Sequence, residues 1–237
     1  MTLSDILGLI LSYVYAFGLL LIIEAIGKRL HWNPNFTRKI IHIGAGMWVW
    51  GILYFFDHWY FGIIPFATFI ILNYVFYRQQ TFKQMDANDA TLGTVYFAIS
   101  ITILYGLLWR TGAGEIDRAP IATAAVMAMT WGDAMGSIIG RRWGTHKYQT
   151  FGHTRSWEGT AAVFVFSFLA VWITLMVLPG SALSPNSVTY PPVQSALFAL
   201  IGAAVAAAAE AISPGGTDNL SVPLLTGAIL YILTLII

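Results

Sequence analysis

The sequence contains no cysteine and very little charge. Without cysteine there can be no disulfide, no thiolate nucleophile and no Cys-ligated zinc. Only 10% of the residues are charged and 57% are hydrophobic, with a mean hydropathy of +0.71. Soluble domains are about one-quarter charged. That shortage leaves too little polar surface to cover a water-soluble globule of 237 residues. It excludes a soluble enzyme, a disordered chain and a basic face for nucleic acid. The net charge is +1, so the placement of the charges carries the information rather than their sum.

What the chain does have is long apolar runs. Eight stand out, at 6–26, 40–56, 59–77, 92–109, 119–140, 157–178, 193–212 and 222–237, close to the roughly 20 residues a bilayer crossing needs. They are continuously apolar rather than alternating, which argues against a closed β-barrel. The expected fold is an all-α, polytopic integral membrane helix bundle. It forms one domain over 1–237 with about eight transmembrane helices, or seven if one short run does not cross. The first run has no basic start and no small-residue cleavage site, so it reads as a retained helix. No targeting segment is visible, and the expected location is a prokaryotic plasma membrane.

Ten of the twelve Lys and Arg residues lie in the odd-numbered loops, and only Arg110 and Arg118 lie in the even-numbered ones. Positive residues mark the cytoplasmic side, which places the N-terminus outside and the odd loops inside. The polar clusters fall at that same end: Arg38 and Lys39 with His42, Asp86 with Asp89, Gly132-Asp133, 153–158, and 210–219. Five clusters on one face point to one site. A transporter would instead be expected to carry polar residues or broken helices near the midplane, and most spans have clean centres. A transporter or lipid-binding protein is therefore the non-enzymatic alternative.

Asp133 lies near the end of a long apolar run, where an ionisable group is costly and is by default functional. On a helix it shares a face with Ser137 and Arg141. A neighbouring stripe of Gly132, Gly136 and Gly140 has the small-residue spacing that lets membrane helices approach closely. A simple ion pair across the bundle is the plain alternative for Asp133. Downstream, Lys147, Arg155 and Ser156 precede a new apolar run, offering donors to phosphate oxygens near a helix N-terminus. Glu158 follows them, either as a catalytic carboxylate or as an acid suited to a helix first turn.

Glu210 ends an alanine-rich run, where a carboxylate opposes the helix dipole and needs positive compensation such as a metal ion. After it, Gly215-Gly216 allows a tight turn, and Asp218 with Asn219 offers hard oxygen ligands. A capped turn with a solvated Asp218 is the alternative. Arg38 and His42 stand one helical turn apart and suit a phosphate or lipid headgroup. Asp86, Asn88 and Asp89 can join a metal site, or Asp89 can cap the fourth span. Carboxylates, bases and a Gly-rich turn on one face are what phosphoryl transfer requires. There is no Walker A sequence, no kinase Gly-rich loop and no His-Glu-x-x-His, which removes the common soluble scaffolds.

Four ordered motifs sharpen this. They are Arg38-Lys39-x-x-His42; Gly132-Asp133-Ala134 with Gly140-Arg141-x-x-Gly144; Arg155-Ser156-Trp157-Glu158-Gly159-Thr160; and Glu210-x-x-Ser213-x-x-Gly216-x-Asp218-Asn219-Leu220-x-Val222-Pro223. Together, across 38–223, they resemble the polyprenol kinase family of phytol, farnesol and dolichol kinases, with the phytol branch nearest. More distantly they are similar to CDP-diacylglycerol synthase. The resemblance implies a CTP-dependent, Mg²⁺-requiring kinase for an isoprenoid alcohol at the membrane lipid boundary, with cytidylyl transfer to a phosphatidate-like lipid as the alternative. It implies Asp133, Glu210 and Asp218 on Mg²⁺. Arg38, Lys39, His42, Arg141, Lys147, Arg155, Ser156 and Asn219 are placed around the nucleotide, and Asp133 or Glu158 at the hydroxyl. The chain departs from the family pattern at Thr145, where a lysine is frequent, and at Arg155, where a lysine is usual. Arg keeps the charge but donates as a planar fork.

Overall fold

The computed structural model describes residues 1–79 and 91–236. Asp86, Asn88 and Asp89 therefore lie outside the described residues. The chain is an all-α membrane bundle, with eight helices among the described residues: α1 (Leu3–Arg29), α2 (Pro34–Phe55), α3 (Trp59–Gln79), α4 (Gly93–Leu108), α5 (Ala119–Trp143), α6 (Trp157–Val177), α7 (Pro192–Ile212) and α8 (Asp218–Ile236). Between α5 and α6 sits one short antiparallel hairpin, β1 (Lys147–Thr150) and β2 (His153–Ser156), with Lys147 opposite Ser156 and Thr150 opposite His153.

α1, α3, α6, α7 and α8 are long and apolar enough to cross a membrane by length and composition, and α4 is a shorter apolar helix. α5 does not need that composition, because it runs through the middle. Residues 119–130 are continuously buried, and α5 packs on α2, α4, α6, α7 and α8. A helix surrounded by protein can carry Thr, Gly and Asp where a lipid-facing one cannot.

The glycine stripe on α5 lies on α6, as its spacing implied. A Cβ at Gly136 would stand 2.4 Å from a Val163 methyl, and one at Gly132 would stand 2.2 Å from Ser167 Oγ. Ser167 in turn donates to the Ala128 carbonyl at 3.0 Å. This is close backbone approach with a polar tie across it, the usual means of holding helices together in lipid.

Two helix starts differ from the apolar pattern. α2 begins at Pro34 rather than residue 40: Asn33 caps it by accepting from the Asn35 amide at 2.9 Å, and Pro34 fits the first turn because its missing N–H has no partner there anyway. Arg38 and Lys39 therefore sit inside the same helix as His42 and not in a loop. α8 begins at Asp218 rather than residue 222, after Gly216 turns the chain with φ +83°. Asp218 and Asn219 are thus first-turn residues, and Pro223 lies within the helix. The hairpin is a further departure, and it puts Arg155 on a strand.

The connections fix which ends share a side. Thr2 and Asp5 meet Asp57 and His58, and Trp59 meets Thr111. At the other end of the bundle α2 starts, α5 ends, the hairpin folds, α7 ends and α8 starts.

Candidate active site

At that second end the bundle holds a cavity of about 710 Å³. Its upper part is lined by Arg38, Lys39, Asp133, Arg141, Lys147, Arg155, Glu210, Asp218 and Asn219, and its lower part by Tyr15, Leu19, Trp48, Phe66, Phe69 and Phe97, among others. The cavity is therefore charged towards the end of the bundle and apolar towards its middle. Pro65, Trp48 and Ser12 are its deepest residues on α3, α2 and α1.

Asp133 marks the boundary. It is the deepest residue that α5 contributes, and it is buried, with 4% of its surface exposed. Lys39 donates to its Oδ2 at 2.6 Å, and His42 Nε2 stands 3.6 Å from the same oxygen. The His42 ring is held edge-on to Phe97, centroids 4.9 Å apart, with Nε2 3.5 Å from the Met129 carbonyl. Asp133 and Lys39 are 94 positions apart in sequence. A buried carboxylate with a single cation partner, facing a cavity, keeps acceptor capacity for something else.

Arg155 organises the other two acids. It reaches out from β2, pairs with Glu210 through one guanidinium nitrogen, and uses the other to donate to the Ser213 carbonyl at 2.9 Å and to approach Asp218 Oδ2 at 3.9 Å. The strand holding it is tied to the α7–α8 turn: the Gly215 amide donates to His153 Nε2 at 3.2 Å. Thr91 packs on Gly216, where a Cβ would come within 2.6 Å of its Oγ1. This positive compensation is what Glu210 at a helix C-terminus needed.

Among the described residues, Arg38, Arg141 and Lys147 line the cavity without a carboxylate partner. With Lys39 and Arg155 they give the cavity five cations against three carboxylates, a balance that suits an anion. Asn219 Oδ1 is buried with no hydrogen-bond partner. It is an oxygen ligand available beside Asp218.

Two expected site residues play other parts. Glu158 is absent from the cavity lining. Its carboxylate accepts from Thr145 Oγ1 at 2.7 Å and from the His146 amide at 3.1 Å, and lies 2.7 Å from His146 Nδ1. It folds the α5–β1 connection. Ser156 lines the cavity but caps α6, accepting from the Gly159 amide at 3.1 Å, and packs on Gly140.

Sequence reasoning missed Thr91 and Gly93, which seat the Gly216 turn, and Asn73, whose amide donates to the Thr94 carbonyl at 3.0 Å. The Thr-Leu-Gly start of α4 was the available signal.

For a magnesium ion, the donor chemistry fits. Mg²⁺ takes one or two carboxylates and completes its shell with water and substrate phosphates. Asp133, Glu210 and Asp218 line one cavity, and the orphan Asn219 oxygen adjoins them. Among the described residues, no group of three or more Asp, Glu or His side chains is placed to hold a metal ion by itself.

The fold and site define a class: an integral membrane bundle with an internal site, charged above and apolar below. The chain is 32% identical to the phytol kinase of Synechocystis sp. over 221 residues, covering 92% of this chain and 86% of that one. It is 25% identical to a probable chloroplastic phytol kinase of Triticum aestivum (92% and 74% covered) and 28% identical to the chloroplastic farnesol kinase of Arabidopsis thaliana (71% and 56% covered). The chain belongs to the polyprenol/phytol kinase family. No protein-family profile and no solved structure matches it.

Proposed function

We propose that this protein phosphorylates the hydroxyl of an isoprenoid alcohol, with CTP as the donor and Mg²⁺ as the metal, at the cytoplasmic face of a prokaryotic plasma membrane. The observation that carries the reading is the two-part cavity. A nucleotide polyphosphate suits the upper part, and a hydroxyl with a long apolar tail suits the lower part. Asp133 stands where the two meet.

In the reaction the alcohol oxygen bonds to the γ-phosphorus, the bond from that phosphorus to the β–γ bridging oxygen breaks, and CDP leaves. Lys147, Arg141 and Arg38 steady the phosphates, together with Arg155 and Lys39. Their charge offsets that on the transferring group, which is most of what a protein supplies in phosphoryl transfer. Asp133 orients the hydroxyl and takes its proton, and Lys39 holds the carboxylate in place. Asp133, Glu210 and Asp218, with Asn219, would hold Mg²⁺, which when bound supplies positive charge at the polyphosphate. His42 fixes the rotamer of Asp133 from below.

The test is an assay of the purified protein with each of the four labelled nucleoside triphosphates against farnesol, phytol, geranylgeraniol and a longer polyprenol. A labelled lipid monophosphate with release of CDP is expected. Pyrophosphate release with cytidine left on a phosphatidate would replace this reading with cytidylyl transfer. Orientation has its own test, made clean by the absence of cysteine: Gln149→Cys should react with an impermeant maleimide only from the cytoplasmic side, and Glu115→Cys only from outside.

A further inference from the structure

The lower part of the cavity is blind. On α1 its lining runs from Leu20 down to Ser12, eight residues or roughly 12 Å at helical rise. That is under half of a hydrocarbon core about 30 Å thick. On α2 the lining stops at Trp48, on α3 at Pro65 and on α4 at Ala98. On all four helices the lining thus stops well short of the far end.

Trp48 makes the floor, and it is held from three directions. Its ring stacks on Tyr15 with centroids 4.4 Å apart, and on Phe55 at 6.0 Å. Its Nε1 donates to Ser12 Oγ at 3.0 Å, and Ser12 donates onward to the Gly8 carbonyl at 2.7 Å. An indole with its N–H satisfied and two aromatic rings stacked against it is held in place. Beneath it the bundle is close-packed: a Cβ at Gly8 would meet the Phe56 ring at 2.7 Å. Ala45, one turn above Trp48 on α2, also lines the cavity and presents only a methyl group.

We propose that Trp48, braced by Tyr15 and Ser12, is the end stop for the alcohol's apolar tail and sets the longest isoprenoid the enzyme accepts. The inference rests on the kinase reading above and adds the residue that gauges chain length. A tail that fits between Asp133 and the indole is buried throughout, whereas a longer one must fold back or leave part of itself outside.

The experiment is a competition among farnesol, geranylgeraniol, phytol and a longer polyprenol, with kcat/KM measured for each in wild-type protein and two variants. Trp48→Ala should lower the floor and shift preference towards longer alcohols. Ala45→Phe should raise it and shift preference towards farnesol. Each shift should be roughly tenfold or more, the scale on which an apolar pocket discriminates by one methylene. The KM for nucleotide should stay within about twofold in both, since neither residue reaches the upper cavity. If active variants keep the wild-type preference to within twofold, the end stop is refuted. Should Trp48→Ala fail to fold, Ala45→Phe decides alone, because it adds atoms to open space and leaves the brace intact. A wild-type protein that phosphorylates none of the four alcohols would instead overturn the kinase reading, a result distinct from unchanged preference.

Discussion

Two buried aspartates at opposite ends of the bundle look alike by exposure and differ in every other respect. Asp5 is fully buried near the start of α1. Its carboxylate accepts from the Thr2 amide at 2.8 Å and from the Asp57 and His58 amides at 3.1 and 3.2 Å, and meets His58 Nδ1 at 2.8 Å. Every partner belongs to a helix cap or to the α2–α3 connection, and Asp5 lies outside the lining of the charged cavity. Asp133 has one side-chain cation at hydrogen-bond distance and a cavity in front of it. A saturated acid joins elements together, whereas an undersatisfied acid facing open space is prepared for a ligand. Asp117 is saturated in the same way, accepting from the Arg110 and Ala119 amides and from Ser184, although it lines a second, smaller cavity near the α4–α5 connection.

The contrast is open to direct challenge. Asp133→Asn should give the largest effect: a loss of turnover of at least about 10²-fold, the scale of a missing general base. Size-exclusion behaviour in detergent should remain normal. Equal activity in the variant would remove Asp133 from the chemistry. Arg155→Ala comes next, because one side chain serves Glu210, Asp218 and the Ser213 carbonyl. Its nucleotide KM should rise about tenfold, on the order of the loss of one charge-assisted contact, while Arg155→Lys should recover part of it. Asp5→Asn should reverse the pattern, with thermal stability falling by about 1–3 kcal/mol, as for a buried hydrogen-bonded group left short of partners, and kcat unchanged. A catalytic loss without a stability loss there would dissolve the comparison. Smallest is Glu158→Gln, for which kcat/KM measured against wild type should move less than about fivefold, as befits a partly exposed carboxylate outside the cavity lining.

Much of this could be read before any coordinates, and the parts that could not have physical reasons. Helices α3 to α7 follow from unbroken apolar length. α2 extends further because the Asn33-Pro34 start signal lies in a polar stretch that hydropathy alone discounts. Proline at 223 reads as a restart, yet α8 already includes Asp218 and carries Pro223 as its sixth residue, as membrane helices tolerate. The hairpin was illegible: four-residue strands without alternating hydrophobics carry almost no pattern, and its turn places Phe151, not only Gly152, at positive φ. Within the site, the acids and bases were legible as types because charge is so rare in this chain. Their pairing was not, since Lys39 with Asp133 and Arg155 with Glu210 join distant segments. Glu158 misled for the opposite reason: a helix first turn explains an acid there equally well whether it faces a ligand or a loop. The Asp5 cluster was missed because each member passes for an ordinary cap.

The blind end of the cavity also bears on the membrane that holds it. A wet, charged hollow reaching well into a bilayer invites leakage of protons and ions, which would dissipate the gradient across an energised membrane. If the cavity takes a polar nucleotide from one side, as proposed, the indole of Trp48 and the Gly8–Phe56 contact beneath it would also serve as an insulating plug.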